Sequence, residues 1–200
     1  MAGQNRAMEL LTTYRRTVAG FADLVGRVGA DRWSGATPCA DWDVRTLVNH
    51  VVGEECWSVP LFDGASLAEV GDRFSGDLLG ADPAASARDA ADQACRAVAD
   101  PAVLDRTVEL SAGPTPGREY LHQLLAEHLV HGWDLAVAIG VEPRLDPAGV
   151  EECARWFARH TSLYRDSGLT DPAVPVRPEA GQQDRLVAGF GRDPGWRPDS

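Results

Sequence analysis

Apolar residues recur at steps of three and four through most of this chain, and strand-type alternation is nowhere sustained. That period matches the turn of an α-helix, so the pattern commits the chain to packed amphipathic helices. Residues 5–29 carry Leu10, Leu11, Tyr14, Val18, Phe21, Leu24, Val25 and Val28 on one stripe. After a loop punctuated by Gly35 and Pro38, Val44, Leu47, Val48 and Val51 make a second. Asp41 or Thr37 can cap that helix, Asp41 being the better placed, and Pro60 is expected to end it. Residues 61–82 mix apolar positions with Gly64, Gly71, Gly76 and Gly80, which suggests short helical turns in a long connection. Asp82-Pro83 starts a third, Ala-rich helix expected to run to about Asp100.

Val108-Glu109-Leu110 reads as a short extended piece, and Ser111 to Gly117 as a loop. A fourth helix spans Gly117 to Ile139, with a stripe of Leu121, Leu124, Leu125, His128, Gly132, Leu135 and Ile139. Asp146-Pro147 opens a fifth over 147–164, and a last short helix covers Asp184 to Phe190. The expected architecture is all-α: a helical bundle over residues 1–165, then an irregular extension over 166–200 whose short helix packs on the bundle. Ligand sites in such bundles form from side chains on facing helices.

A chain of 200 residues buries enough surface to fold without staples. Its net charge of −11 and pI near 4.8 argue against nucleic acid, which needs a basic stripe, and against an anionic membrane surface. No apolar run approaches the ~20 residues of a membrane span, and no signal peptide is evident. Cys39, Cys56, Cys95 and Cys153 form no CxxC pair, so reduced thiols in the cytoplasm are expected. All 19 basic residues are Arg, a usage typical of GC-rich genomes such as those of actinobacteria.

The densest chemistry lies in Glu127-His128-Leu129-Val130-His131-Gly132-Trp133-Asp134. Glu127 and His131 stand four apart, on one helix flank, where one divalent ion could take both. His50 lies about 60° from Leu47 around its helix, and Glu54 and Trp57 share its face. His50, Glu127 and His131 therefore form a candidate three-ligand set for Zn²⁺ or Ni²⁺ with coordination left for water or substrate. Spacing alone equally allows an ordinary helix-face pair and a core imidazole. His128 is a competing ligand, or else a buried imidazole bonded to a carboxylate or carbonyl. Asp134 is either a partner of a metal-bound imidazole or a solvated helix residue. Glu54 is a further candidate for either role, and Trp57 a candidate substrate contact. Trp42 and Trp133 read as packing, and His122 and His160 as surface groups or neighbours of the site. Cys39 precedes a helix N-terminus, where a thiol can be acidified; a small buried apolar role is the simpler reading.

Thr37-Pro38-Cys39-Ala40-Asp41-Trp42-Asp43-Val44-Arg45-Thr46-Leu47-Val48-Asn49-His50-Val51 resembles the first signature of the mycothiol-dependent maleylpyruvate isomerase family, in the DinB-like superfamily of metal-binding four-helix bundles. Glu127 to Leu135 resembles the second signature. Asp184-Arg185-Leu186 through Gly191-Arg192-Asp193-Pro194 is similar to the tail of actinobacterial members. The resemblance implies an up-down-down-up bundle and a metal triad of His50, Glu127 and His131. The maleylpyruvate isomerase itself carries a further C-terminal α/β domain, whereas only residues 166–200 follow the fifth helix here.

Two functions are expected from this reading. One is a metal-dependent thiol transferase or isomerase, with mycothiol as cosubstrate and a small electrophile as substrate. The other is a non-catalytic metal-binding or interaction protein on the same fold. A homodimer through helical faces is compatible with both.

Overall fold

The computed structural model describes residues 2–166 and 170–198. Helix α1 is Ala2–Val25 and α2 is Val44–Phe62, with a single-turn α3 at Leu67–Val70 before α4 at Pro83–Ala97. A 3-10 turn (Pro101–Asp105) and two short strands, β1 (Thr107–Leu110) and β2 (Gly113–Pro116), lead into α5 (Gly117–Ala138). Then come α6 (Pro147–Asp166) and α7 (Gln182–Gly189). Of the extension expected over 166–200, residues 167–169, 199 and 200 lie outside the described residues.

Four helices close a ring. α1 and α2 each pack against both α4 and α5, so α1 faces α2 across the bundle and α4 faces α5. Both diagonal steps, α1 to α2 and α4 to α5, need long connections, and residues 26–43 and 98–116 supply them. α6 packs on α5 and α1, and α7 on α6.

α5 sits in the middle. One apolar stripe was expected of it, yet every residue from His128 to Ala138 is buried. A helix covered on all sides must be apolar all round or must pair each polar group it carries. His128, His131 and Asp134 are such groups, and their pairing shapes the site described below.

Several boundaries move for local reasons. Asp43, not Asp41 or Thr37, caps α2, its carboxylate accepting from the Thr46 N–H at 2.7 Å. An isolated bridge between Ala36 and Asp43 holds the chain extended up to that point. Thr37 closes the turn in between: its hydroxyl donates to the Trp42 carbonyl at 2.9 Å and accepts from the Cys39 N–H at 3.1 Å. α2 also runs past Pro60 to Phe62. Proline there removes one N–H near a helix end, and the chain closes through Asp63 N–H to the Val59 carbonyl and Ala65 N–H to the Pro60 carbonyl. α4 stops at Ala97 because Asp100 caps the next turn, accepting from the Ala102 N–H at 2.9 Å. The segment read as a loop after Leu110 contains β2, paired antiparallel with β1 from Thr107–Pro116 to Leu110–Gly113. Gly117, which starts α5, has no room for a side chain: a Cβ there would lie 2.1 Å from the Val103 carbonyl oxygen.

His122 proves buried, not superficial. Its Nδ1 donates to the Arg118 carbonyl at 2.8 Å, Nε2 meets Glu152 at 2.9 Å, and the ring stacks on Trp156. His160 is half-buried, donating to the Trp156 carbonyl at 2.9 Å. The hydrogen bond from His122, aided by Arg155 and opposed by partial burial, holds the Glu152 carboxyl down from an ordinary 4.5 to about 2. A depressed folded-state pKa gives stability that is present above the unfolded value and lost as pH falls through the folded one. Wild type should therefore exceed Glu152→Gln by about 1 kcal/mol in urea unfolding near pH 6, after allowing for solvent screening. The gap should close as pH drops from 4.5 towards 2; a pH-independent gap would contradict this assignment.

Candidate metal centre

His50 projects from α2, one turn before Glu54, towards Glu127 and His131 on α5. Its Nε2 stands 3.2 Å from Glu127 Oε2, and His131 Nε2 stands 3.1 Å from the same oxygen. The three donor atoms lie within 4.8 Å of one another. Tetrahedral Zn²⁺ with N and O ligands at about 2.0–2.2 Å spaces its donors at about 3.3 Å. The observed edges thus fit an ion with small outward shifts. Two imidazoles and one carboxylate are the donor set of reactive zinc sites, which keep further coordination free.

His131 is oriented from behind. Its Nδ1 is 3.0 Å from Asp134 Oδ2, and since a carboxylate accepts, Nδ1 carries the proton and Nε2 turns to Glu127 and His50. Asp134 has no exposed side-chain surface. Arg192, from the segment after α7, donates to it through Nε at 3.3 Å to each oxygen and through Nη2 at 3.0 Å to Oδ2. Arg192 Nη2 also meets Cys39 Sγ at 3.0 Å, and Nη1 donates to the Phe190 carbonyl. Gly191 makes that approach feasible: its φ is +84°, and a Cβ would sit 2.4 Å from Asp171 Cβ.

Cys39 Sγ lies 3.4 Å from Asp134 Oδ2 and 4.0 Å from His131 Nδ1, so Cys39, His131 and Asp134 make a second donor group. The Arg192 guanidinium already contacts both Cys39 and Asp134. In the His50–Glu127–His131 group no guanidinium contact is found among the described residues. Trp42, expected only to pack, tilts over both imidazoles, with ring centroids 4.7 Å from His50 and 5.5 Å from His131.

Electrostatics tie the cluster together. Burial pushes the Glu127 carboxyl up, but hydrogen bonds to His131 and His50 hold it well below the usual carboxylate range. Burial likewise opposes charge on His131, and Asp134, Cys39 and Glu127 overcome it, raising its pKa well above the ordinary value. Glu54 is raised by burial and then by the charge of Glu127. It sits with Glu127, His131, Trp57, Tyr120 and Arg192 around a cavity of about 550 Å³. A larger one, about 840 Å³, lies between α1 and α5, and none of the three donor residues lines it.

His128 stands apart from both donor groups. Its Nδ1 donates to the Leu124 carbonyl at 2.7 Å, and its Nε2 meets Glu55 Oε1 at 2.9 Å in the core. Trp133 is buried against Val137 and Val187. The sequence reading missed Glu55, Trp42 as an imidazole cover, and Arg192 as the cation on Asp134. A buried carboxylate such as Asp134 must find a partner, but nothing in the sequence points from it to Arg192.

Helical bundles form ligand sites from side chains on adjoining helices, and here two histidines and a glutamate converge from α2 and α5. The family described as the mycothiol maleylpyruvate isomerase N-terminal domain matches residues 14–136, and the chain belongs to that family. The fold is all-α and DinB-like. Two similar proteins, uncharacterized proteins of Mycobacterium tuberculosis strains CDC 1551 / Oshkosh and H37Rv, are each 34% identical over 194 residues, covering 92% of this chain and 98% of the relative. No solved structure gives a significant match. No helix among the described residues is long and apolar enough to cross a membrane.

Removing the guanidinium should leave the Asp134 charge buried and uncompensated. Arg192→Ala should lose about 3–5 kcal/mol of unfolding free energy in denaturant titration. Arg192→Lys should recover part of it, since a single ammonium replaces the forked contact. An Arg192→Ala protein as stable as wild type would contradict this pairing.

Proposed function

We propose that the protein binds a divalent metal ion, Zn²⁺ or Ni²⁺, through His50, Glu127 and His131, and uses it as a thiol S-transferase or isomerase acting on a small electrophile. Mycothiol, the thiol named in the family description, is the proposed cosubstrate. The observation that carries this reading is the convergence of the two imidazoles on one carboxylate oxygen, at 3.1 and 3.2 Å, beside a cavity of about 550 Å³.

Bound there, the ion would supply a Lewis acid that keeps a thiol sulfur deprotonated, and thiolate is the nucleophilic form. The chain's own residues do the remainder. Asp134 keeps a proton on His131 Nδ1, so the proton lost when an ion binds would leave from Nε2, whose lone pair then faces the ion. Arg192 holds the Asp134 carboxylate in place while it does so. Trp42 covers one side of the two imidazoles and keeps water from it. Trp57, Leu61, Leu124 and Phe190 give the cavity apolar walls for the electrophile, and Glu54, Gln123 and Tyr120 place polar groups among them. A polyhydroxylated thiol would meet hydrogen-bonding groups on the way to the metal.

A second reading, a metal-binding or interaction protein without turnover, has one observation in its favour. The triad, Asp134 and Arg192 already form a continuous hydrogen-bonded chain that is self-sufficient in charge.

Two measurements separate the readings. Purified protein should hold about one equivalent of Zn²⁺ or Ni²⁺, and His50→Ala and His131→Ala should lose it while keeping their helical circular dichroism. Wild type that binds no divalent ion would refute the site. Metal-loaded protein should also conjugate mycothiol to one or more of a panel of small electrophiles, with His131→Ala inactive. Tight metal binding without turnover across that panel would favour the second reading.

A further inference from the structure

We infer that the buried Glu55–His128 pair is a positioning device: it fixes the axial register of α2 against α5, and so the distance of His50 from Glu127 and His131. The inference rests on the metal site proposed above and concerns what holds it together.

The pair joins the two ligand-bearing helices beneath the site. Glu55 lies five residues after His50 on α2, and His128 lies between Glu127 and His131 on α5. Glu54 and Glu127 turn to the cavity, and Glu55 and His128 turn inward. Glu55 Oε1 meets His128 Nε2 at 2.9 Å, with side-chain exposures of 1% and 0%. The other ring nitrogen is anchored to its own helix by donating to the Leu124 carbonyl at 2.7 Å. Tyr14 and Phe21 of α1 close on the ring edge-on, with centroids 5.7 and 5.9 Å away. The imidazole therefore has one orientation, and Glu55 must come to it.

Arg45 and Asn49 tie α2 to residues 76–80 by directional bonds, but towards α5 the remaining contacts besides the His50–Glu127 pair itself are apolar. Val44, Leu47, Val48, Val51 and Val52 share a core cluster with Leu135 and Ala138 of α5. Apolar contact is non-directional, so such surfaces repack at modest cost. A slip of one residue along a helix is about 1.5 Å. Metal–ligand bonds tolerate deviations of only about 0.2 Å. A directional bond near the site decides between positions that apolar packing leaves close in energy. Glu55 Oε2 has no hydrogen-bond partner among the described residues, so His128 holds this carboxyl alone. Such a group adds little to stability compared with an apolar pair of the same size, and a role in specifying register accounts for its presence.

The decisive variant replaces both partners at once, Glu55→Met with His128→Leu. Apolar replacement of a buried pair is often neutral or stabilising, so the protein should unfold at or above the wild-type temperature. Its affinity for Co²⁺ or Zn²⁺, measured by competition with a chromophoric chelator, should nevertheless fall about tenfold or more. Its Co²⁺ visible spectrum should show altered coordination. Glu55→Gln, which keeps a hydrogen bond to the ring, should stay close to wild type in both readouts. Glu55→Asp, one methylene shorter, guards against misfolding of the double variant: it should remain folded, weaken metal binding and shift the Co²⁺ spectrum. Wild-type affinity and spectrum in either folded variant, the double or Glu55→Asp, would overturn the inference while leaving the metal site standing. Absence of Co²⁺ or Zn²⁺ binding by wild type would overturn the metal site and the inference with it.

Discussion

A carboxylate without exposed surface, Asp134, sits in the most enclosed helix of this protein, and the site depends on how its charge is met. An unpaired carboxylate there would be strongly destabilising. Arg192 and His131 both meet it, each at Oδ2, and each consequence is structural. The pairing with Arg192 draws the segment after α7 back onto the bundle. The pairing with His131 fixes the ring so that its second nitrogen faces Glu127 and His50. One buried charge thereby couples the C-terminal segment to the geometry of a cluster on the other side of the same imidazole.

α5 carries two such arrangements a turn apart. Asp134 and His131 work towards the cavity, and His128 works towards the core through Glu55. Buried polar groups in a helix are tolerable only when each is paired, and pairing constrains orientation. The helix that most needs its polar groups satisfied is therefore also the helix whose side chains are most closely held. That suits a metal site, where ligands have to be placed before the ion arrives.

Much of the fold could be read from hydrophobic period alone, because four long stripes leave few alternatives to a bundle. The errors lay where tertiary contacts override local signals. Asp41 is a good capping residue, but the Ala36–Asp43 bridge delays α2 until Asp43 can cap it. Pro60 is a helix breaker in general, yet as the third residue from the helix end it forfeits one i−4 bond and the last turn still closes through the Asp63 and Ala65 N–H groups. α5 was read as amphipathic because its stripe was visible, whereas its other faces are covered by elements whose approach the sequence does not announce. Helix phase placed Glu127 and His131 on one flank, but the meeting with His50 required knowing that α2 neighbours α5 in the ring. Arg192 falls in the tail that resembles actinobacterial members of the family, and nothing local links it to Asp134, 58 residues earlier.

The central claim is that His50, Glu127 and His131 together hold a divalent ion, in preference to Cys39, His131 and Asp134. X-ray absorption spectroscopy at the edge of the bound metal tests it most directly. The account predicts a first shell of nitrogen and oxygen at about 2.0–2.2 Å, with two imidazole contributions in wild type and one in any metal-bound fraction of His50→Ala. A sulfur scatterer near 2.3 Å, the usual zinc–thiolate distance, that disappears in Cys39→Ser would place the ion in the other group and contradict the account.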